Sequence, residues 1–283
     1  MPPADSPSHP WLSSLARLLV TPDWLGALLV RITGPSSFLT AQRQLVLEQR
    51  FNARCARCFS ELTVLHGPFA GLRYPTGTAH GSALHPKLLG SYESELHPAL
   101  TRLQTRTYDD IVDIGFAEGY YLIGLAQWFP KARIWGFDLS PEAHRLCTAL
   151  AAANAVQPER MHLGHEATAS ALIPALGRRA LVICDCEGCE AGLFSTGHMD
   201  RWKTSDLIIE CHDFVEPGVT AAIASRLAST HQVELIPTAD CRLRVGQLPL
   251  RAKSIFSPEE QFRLVDEGRP AAQNWIVATV SRP

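Results

Sequence analysis

No run of roughly 18 apolar residues occurs in this 283-residue chain, so a membrane-spanning helix is not expected. The opening stretch MPPADSPSHPWLSSLARLLV places no positive charge ahead of its short apolar run, which argues against a secretory signal. Excess charge is missing too. Lysine and arginine number 26 and aspartate and glutamate 28, a formal net charge of -2. Without a basic field little draws the chain onto a phosphate backbone or an anionic lipid surface, so neither nucleic acid nor membrane is an expected partner. A cytoplasmic protein is the expectation.

Cysteine is present, at eight residues, but a regular cysteine scaffold is not. Cys55 and Cys58 form a C-x-x-C with no second pair at the distance a zinc ribbon requires, and Cys184, Cys186 and Cys189 surround an acidic pair. In a reducing compartment these are expected as free, half-buried thiols. A full G-x-G-x-x-G is also lacking, which counts against a dinucleotide fingerprint.

With 46% hydrophobic residues the chain can bury a full core without staples. Residues 1–10, rich in proline and serine, read as a disordered tail. Residues 11–86 read as an N-terminal helical region with a connecting loop. Apolar side chains recur there at three- and four-residue spacing until the Gly-, Pro- and His-dense stretch GPFAGLRYPTGTAHGSALHP. KLLGSYESELHPALTRL then resumes helical spacing, with Glu93 and Glu95 near its start where the helix dipole favours them. From residue 109 onward β-branched runs alternate with helical stretches, the pattern of a doubly wound α/β sheet, and residues 87–283 are taken as one domain.

IVDIGFAEGYYLIGLA, residues 111–126, reads as a buried parallel strand, a glycine turn and a helix. Gly115 and Gly119 let the backbone turn sharply at the carboxyl edge of the sheet, where such folds bind ligands. About twenty residues on, RIWGFDLS ends a second strand with Asp138, placed to accept hydrogen bonds from ribose hydroxyls. Asp185 and Glu210 end two later strands, and His212 follows closely. Two readings stay open for that trio. It could ligate a divalent cation, or His212 could be a general base tuned by Glu210 or Asp213.

These residues resemble the class I S-adenosylmethionine-dependent methyltransferases. The resemblance covers Tyr108 to the end and implies a Rossmann-like seven-stranded sheet behind an N-terminal helical domain. By that likeness Asp113, Gly115 and Gly119 form the glycine-rich first motif, and Asp138 is the second-strand acid. LGHEA supplies Gly164 and His165 or Glu166 beside the adenine, and NWIVATV is the last, antiparallel strand. LVICDCEGCEAGLF and DLIIECHDF are similar to segments of the FkbM-like methyltransferases, although Cys186 and Cys189 stand where apolar or aromatic residues are usual. The resemblance implies S-adenosylmethionine as cofactor, Asp185, Glu210 and His212 on the acceptor side, and a small-molecule hydroxyl as acceptor. A divalent cation remains an option in it, as in catechol-type enzymes. Tyr92 and Glu93 are divided between a cofactor cover and a solvated helix start. The rival readings are a nucleotide-dependent oxidoreductase and a non-catalytic cofactor-binding module.

Overall fold

The computed structural model describes residues 10–34 and 37–280. Three helices open it: α1 (Pro10–Val20), α2 (Asp23–Thr33) and α3 (Phe38–Cys58). Two short helices follow, α4 (Leu84–Leu89) and α5 (His97–Gln104). Then comes the alternation β1 (Asp110–Ile114), α6 (Tyr120–Trp128), β2 (Arg133–Phe137), α7 (Pro141–Ala153), β3 (Met161–Gly164), α8 (Ala169–Leu176), β4 (Ala180–Cys184) and α9 (Glu190–Leu193). The chain closes with β5 (Asp206–Cys211), α10 (Val219–Leu227), β6 (His231–Pro237), α11 (Cys241–Gln247), α12 (Leu250–Ile255), α13 (Pro258–Val265) and β7 (Asn274–Val280). Apart from Pro10, at which α1 begins, the tail expected at residues 1–10 lies outside the described residues.

The chain divides into two compact units, one of residues 1–60 and 250–260, the other of 61–249 and 261–283. In the first, α1 packs on α2 and α3, and Arg17 donates to Gln42 at 2.9 Å. The division differs from the boundary read at residue 86. Residues 61–86 belong to the second unit because they bury Val64, Phe69, Leu72 and Tyr74, and the segment folds back on itself through a Thr63–Arg73 bridge. Glycine and proline there shape a packed hairpin-like turn.

The second unit is built on a seven-stranded sheet of order β3-β2-β1-β4-β5-β7-β6. All neighbours are parallel except β7, which runs antiparallel to β5 and β6. This is the class I methyltransferase arrangement expected from the sequence. The β1, β4 and β5 strands are buried along their whole length, as their nearly unbroken apolar runs require of central strands. Crossovers leave β1 in one direction toward β2 and β3 and in the other toward β4 and β5, so a crevice opens between β1 and β4 at their carboxyl ends. Ile114 pairs with Cys184 in register, which brings Gly115 and Asp185 out of the sheet side by side.

The stretch read as one helix from Lys87 is broken. Gly90 takes φ +77° and ends α4, a three-residue turn covers Ser94–Leu96, and α5 starts only at His97. Glu93 itself sits at φ +48°, so it is a turn residue with its side chain directed inward, not a first-turn helix carboxylate. Among the described residues no helix is long and apolar enough to cross a membrane.

Candidate active site

A cavity of about 500 Å³ occupies the crevice at the carboxyl ends of β1, β2, β4 and β5. The glycine turn forms one wall. Gly115 (φ +87°) is required there because a Cβ would overlap the backbone carbonyl oxygen of Asp185. Gly119 (φ +96°) starts α6, and a Cβ on it would press on Cys147 Sγ at 2.8 Å, so its bareness serves helix packing and it does not itself line the cavity. Between them Ala117 also has positive φ, and its N–H donates to Asp138 Oδ2 at 2.9 Å. Asp138 Oδ1 accepts from Ser140 N–H at 2.8 Å, so the carboxylate is locked to the turn and to the start of α7 while still lining the cavity.

Asp113 lines the cavity and is buried, and it accepts from the Leu122 N–H in the first turn of α6. Burial, with Asp185 and Asp138 nearby, pushes its carboxyl well above the ordinary range. His165 lines the far end beside Phe137 and Leu139. Gly164 does not line it; its carbonyl accepts the Asp138 N–H at 3.1 Å and thereby holds the β2 and β3 ends together.

On the opposite side Asp185, Glu210 and His212 come together. His212 Nε2 is 3.6 Å from Asp185 Oδ1 and 3.9 Å from Glu210 Oε2. Asp185 and Glu210 form a hydrogen-bonded carboxyl pair. Burial beside Asp185 and Glu93 pushes Glu210 up to about 11, although Arg269 opposes this, so the pair holds a proton between its two carboxyls. His212 is fully buried and does not line the cavity; its Nδ1 lies 2.9 Å from Glu190 Oε1. Burial alone would lower the His212 imidazole, but Glu190, Asp185 and Glu187 raise it above its ordinary value.

Several residues here were not singled out in the sequence. Arg269, from the loop before β7, reaches Glu210 at 2.5 Å, Glu267 at 2.9 Å and Glu93 at 3.1 Å. Arg244 meets Glu95 and Glu267, each at 2.7 Å. Lys87 is buried 2.5 Å from Glu118 Oε1, with the Tyr92 ring 4.7 Å from its ammonium. The one local signal for Arg269 is its position between Gly268 and Pro270 in a loop. Tyr92 and Glu93 both line the cavity and are buried, which excludes the solvated helix start; the Tyr121 hydroxyl donates to Glu93.

The expectation of free thiols is corrected at one place. Cys186 and Cys189 form a disulfide, because Glu187 (φ +56°) and Gly188 (φ +116°) fold the loop until the two Cα atoms are 5.5 Å apart. Cys184 remains free and buried, its sulfur 3.7 Å from that of Cys186.

No family model matches the sequence, and no curated protein does. Solved structures with a similar fold include a precorrin-6y C5,15-methyltransferase from Geobacter metallireducens (13% identity, 65% of this chain and 86% of that one, TM-score 0.42). The O-methyltransferase TomG from Streptomyces achromogenes, solved with S-adenosylmethionine, is 15% identical over 68% of this chain and 81% of its own, with TM-score 0.42. A ribosomal protein L11 methylase from Lactobacillus delbrueckii subsp. bulgaricus is 14% identical over 74% and 86%, again with TM-score 0.42.

Proposed function

We propose that the chain is an S-adenosylmethionine-dependent methyltransferase acting on a hydroxyl of a small molecule. The carboxyl-rich lining of the cavity carries the reading. Eight carboxylate residues line it (Glu93, Asp113, Asp138, Glu166, Asp185, Glu187, Glu210 and Glu267), but only two permanently cationic ones, Lys87 and Arg269. Such a wall suits a ligand bearing a sulfonium and an ammonium and repels a pyrophosphate, which disfavours the dinucleotide-dependent oxidoreductase. Asp138 has lone pairs left for ribose hydroxyls, Gly115 and Ala117 let the ligand approach the backbone, and His165 with Phe137 supplies a base-sized slot.

The bound cofactor would supply an electrophilic methyl group, and the protein's part is then placement and proton handling. Asp185 and Glu210 stand at the acceptor end as one carboxyl pair that can take up the hydroxyl proton, while Arg269, itself paired with Glu93, fixes Glu210 in place. The placing of this pair in the cavity is what speaks against a non-catalytic module. Because His212 lies behind this pair, we assign it a positioning role in place of direct proton abstraction.

Calorimetry with S-adenosylmethionine tests the cofactor. Wild type should bind, and Asp138→Ala, checked for folding by circular dichroism because the carboxylate also accepts from Ala117 and Ser140, should bind about ten- to a hundredfold more weakly, as expected for loss of a hydrogen bond worth about 1.5–3 kcal/mol. No heat with S-adenosylmethionine, or tighter binding of a nicotinamide dinucleotide, would overturn the reading.

A further inference from the structure

The orphaned ring nitrogen of His212 is the most informative atom outside the carboxyl pair. Glu190 Oε1 accepts from the Cys186 and Gly188 N–H groups, each at 3.3 Å, and lies 2.9 Å from His212 Nδ1, so it serves as an acceptor throughout and the proton between the two belongs to His212 Nδ1. In the neutral imidazole that leaves a lone pair on Nε2. The nitrogen is fully buried, makes no hydrogen bond, and is aimed at two carboxylate oxygens, Glu187 Oε2 at 3.3 Å and Asp185 Oδ1 at 3.6 Å. Asp185 Oδ1 is likewise buried without a hydrogen-bond partner. These atoms converge on one point, where either a metal cation or a second imidazole proton has to balance the two carboxylates.

From this convergence we infer that Asp185, Glu187 and His212 form a binding site for a divalent first-row transition ion of the zinc type. The three ligand atoms lie within 4.8 Å of one another. An ion about 2.0–2.1 Å from each of its ligands sets them about 3.4 Å apart in a tetrahedron, close to the two separations measured from Nε2. An imidazole with two carboxylates suits zinc, manganese or iron better than magnesium or calcium, which favour oxygen alone. The surroundings fit as well: a metal-bound imidazole ordinarily donates its other N–H to a carboxylate, and Glu190 is in place to accept it. Glu187, the outermost ligand, is 74% exposed but is carried on the short loop closed by the Cys186–Cys189 disulfide. Glu210 is not a ligand, since its Oε1 is held by Arg269 at 2.5 Å and its Oε2 stands 3.9 Å from Nε2, farther than the other two carboxylates. The site stands on its own atoms and does not depend on the cofactor reading.

The test is direct titration of the full-length, disulfide-intact protein, stripped with chelator, against zinc and against cobalt(II) followed in the visible spectrum. One equivalent should bind in the micromolar range or tighter, with cobalt bands of four- or five-coordinate N/O ligation and with little response to magnesium. Glu187→Gln, an exposed change that should not disturb folding, should weaken binding at least tenfold; His212→Gln, checked by circular dichroism, should do the same. Absence of one-equivalent binding would overturn the inference. So would binding that both variants leave intact, or a cobalt spectrum dominated by thiolate charge transfer, which would assign the metal to cysteines. In the absence of binding, an imidazolium alone would balance the two carboxylates.

Discussion

Replacing Arg269 by methionine isolates the charge balance of the acid-rich wall. The guanidinium is 13% exposed and lies within 3.1 Å of carboxylate oxygens of Glu93, Glu210 and Glu267, with Gln273 Oε1 at 2.6 Å. Methionine keeps much of the volume and removes the cation. Breaking a buried pair from one side costs about 3–5 kcal/mol, a large share of the roughly 5–15 kcal/mol that holds a domain together. The loss should depend on pH in a fixed direction. Without Arg269 the three carboxyls are held higher still, so the folded variant binds protons that the unfolded chain does not, and its stability rises as pH falls toward the unfolded carboxyl value of about 4.3. Urea unfolding followed by circular dichroism at pH 8 and pH 5.5 measures both effects, with Arg269→Lys as the variant that keeps charge but not the fork. Equal stability of wild type and Arg269→Met at pH 8, or a deficit unchanged at pH 5.5, would refute the reasoning.

Wild type should itself lose stability as pH rises from about 5 to about 8, because burial, only partly offset by Arg269, holds Glu93 up at about 8 and its folded form binds a proton the unfolded form releases. The slope from this group cannot exceed about 1.4 kcal/mol per pH unit, and Glu93→Gln should flatten it in the same urea series; an unchanged profile in the variant would assign the slope elsewhere. Gly115→Ala should cost about 2–5 kcal/mol, since a Cβ there adds overpacking against the Asp185 carbonyl to the cost of a left-handed backbone. At Gly71, where φ is +93° and no atom lies within 4 Å, the alanine variant should cost only about 1–2 kcal/mol. Thermal melts in which the two variants behave alike would show that crowding at Gly115 is relieved by movement.

What could be read from the sequence was what is encoded locally. An unbroken apolar run such as that of β4 is a central strand because both its faces must be covered, and Asp138 follows β2 at the interval a βαβ unit imposes. Long-range pairing was not readable. Arg269 is 59 residues from Glu210 and far from Glu93, and no local pattern links them. Glu93 stayed divided between a cofactor cover and a helix start because acidic residues near a periodic stretch usually cap a helix; in the structure Gly90 ends α4 first and Glu93 turns inward. The disulfide escaped notice because it depends on two consecutive positive φ angles at Glu187 and Gly188, and a glutamate gives no sign of adopting one. Residues 61–86 looked like a connector, since glycine and proline mark turns whether or not apolar side chains between them are buried.

The first unit is completed by a segment from far along the chain. Residues 250–260 bring Phe256 to Phe51, the ring centroids 5.9 Å apart, and bury Ala252. The polypeptide therefore passes between units at three places rather than one, near residues 60, 249 and 260. Deleting the first 60 residues would strand Phe256 without Phe51, and expressing those residues alone would omit the closing segment. A single break in the polypeptide therefore cannot separate the helical part from the sheet as two contiguous pieces.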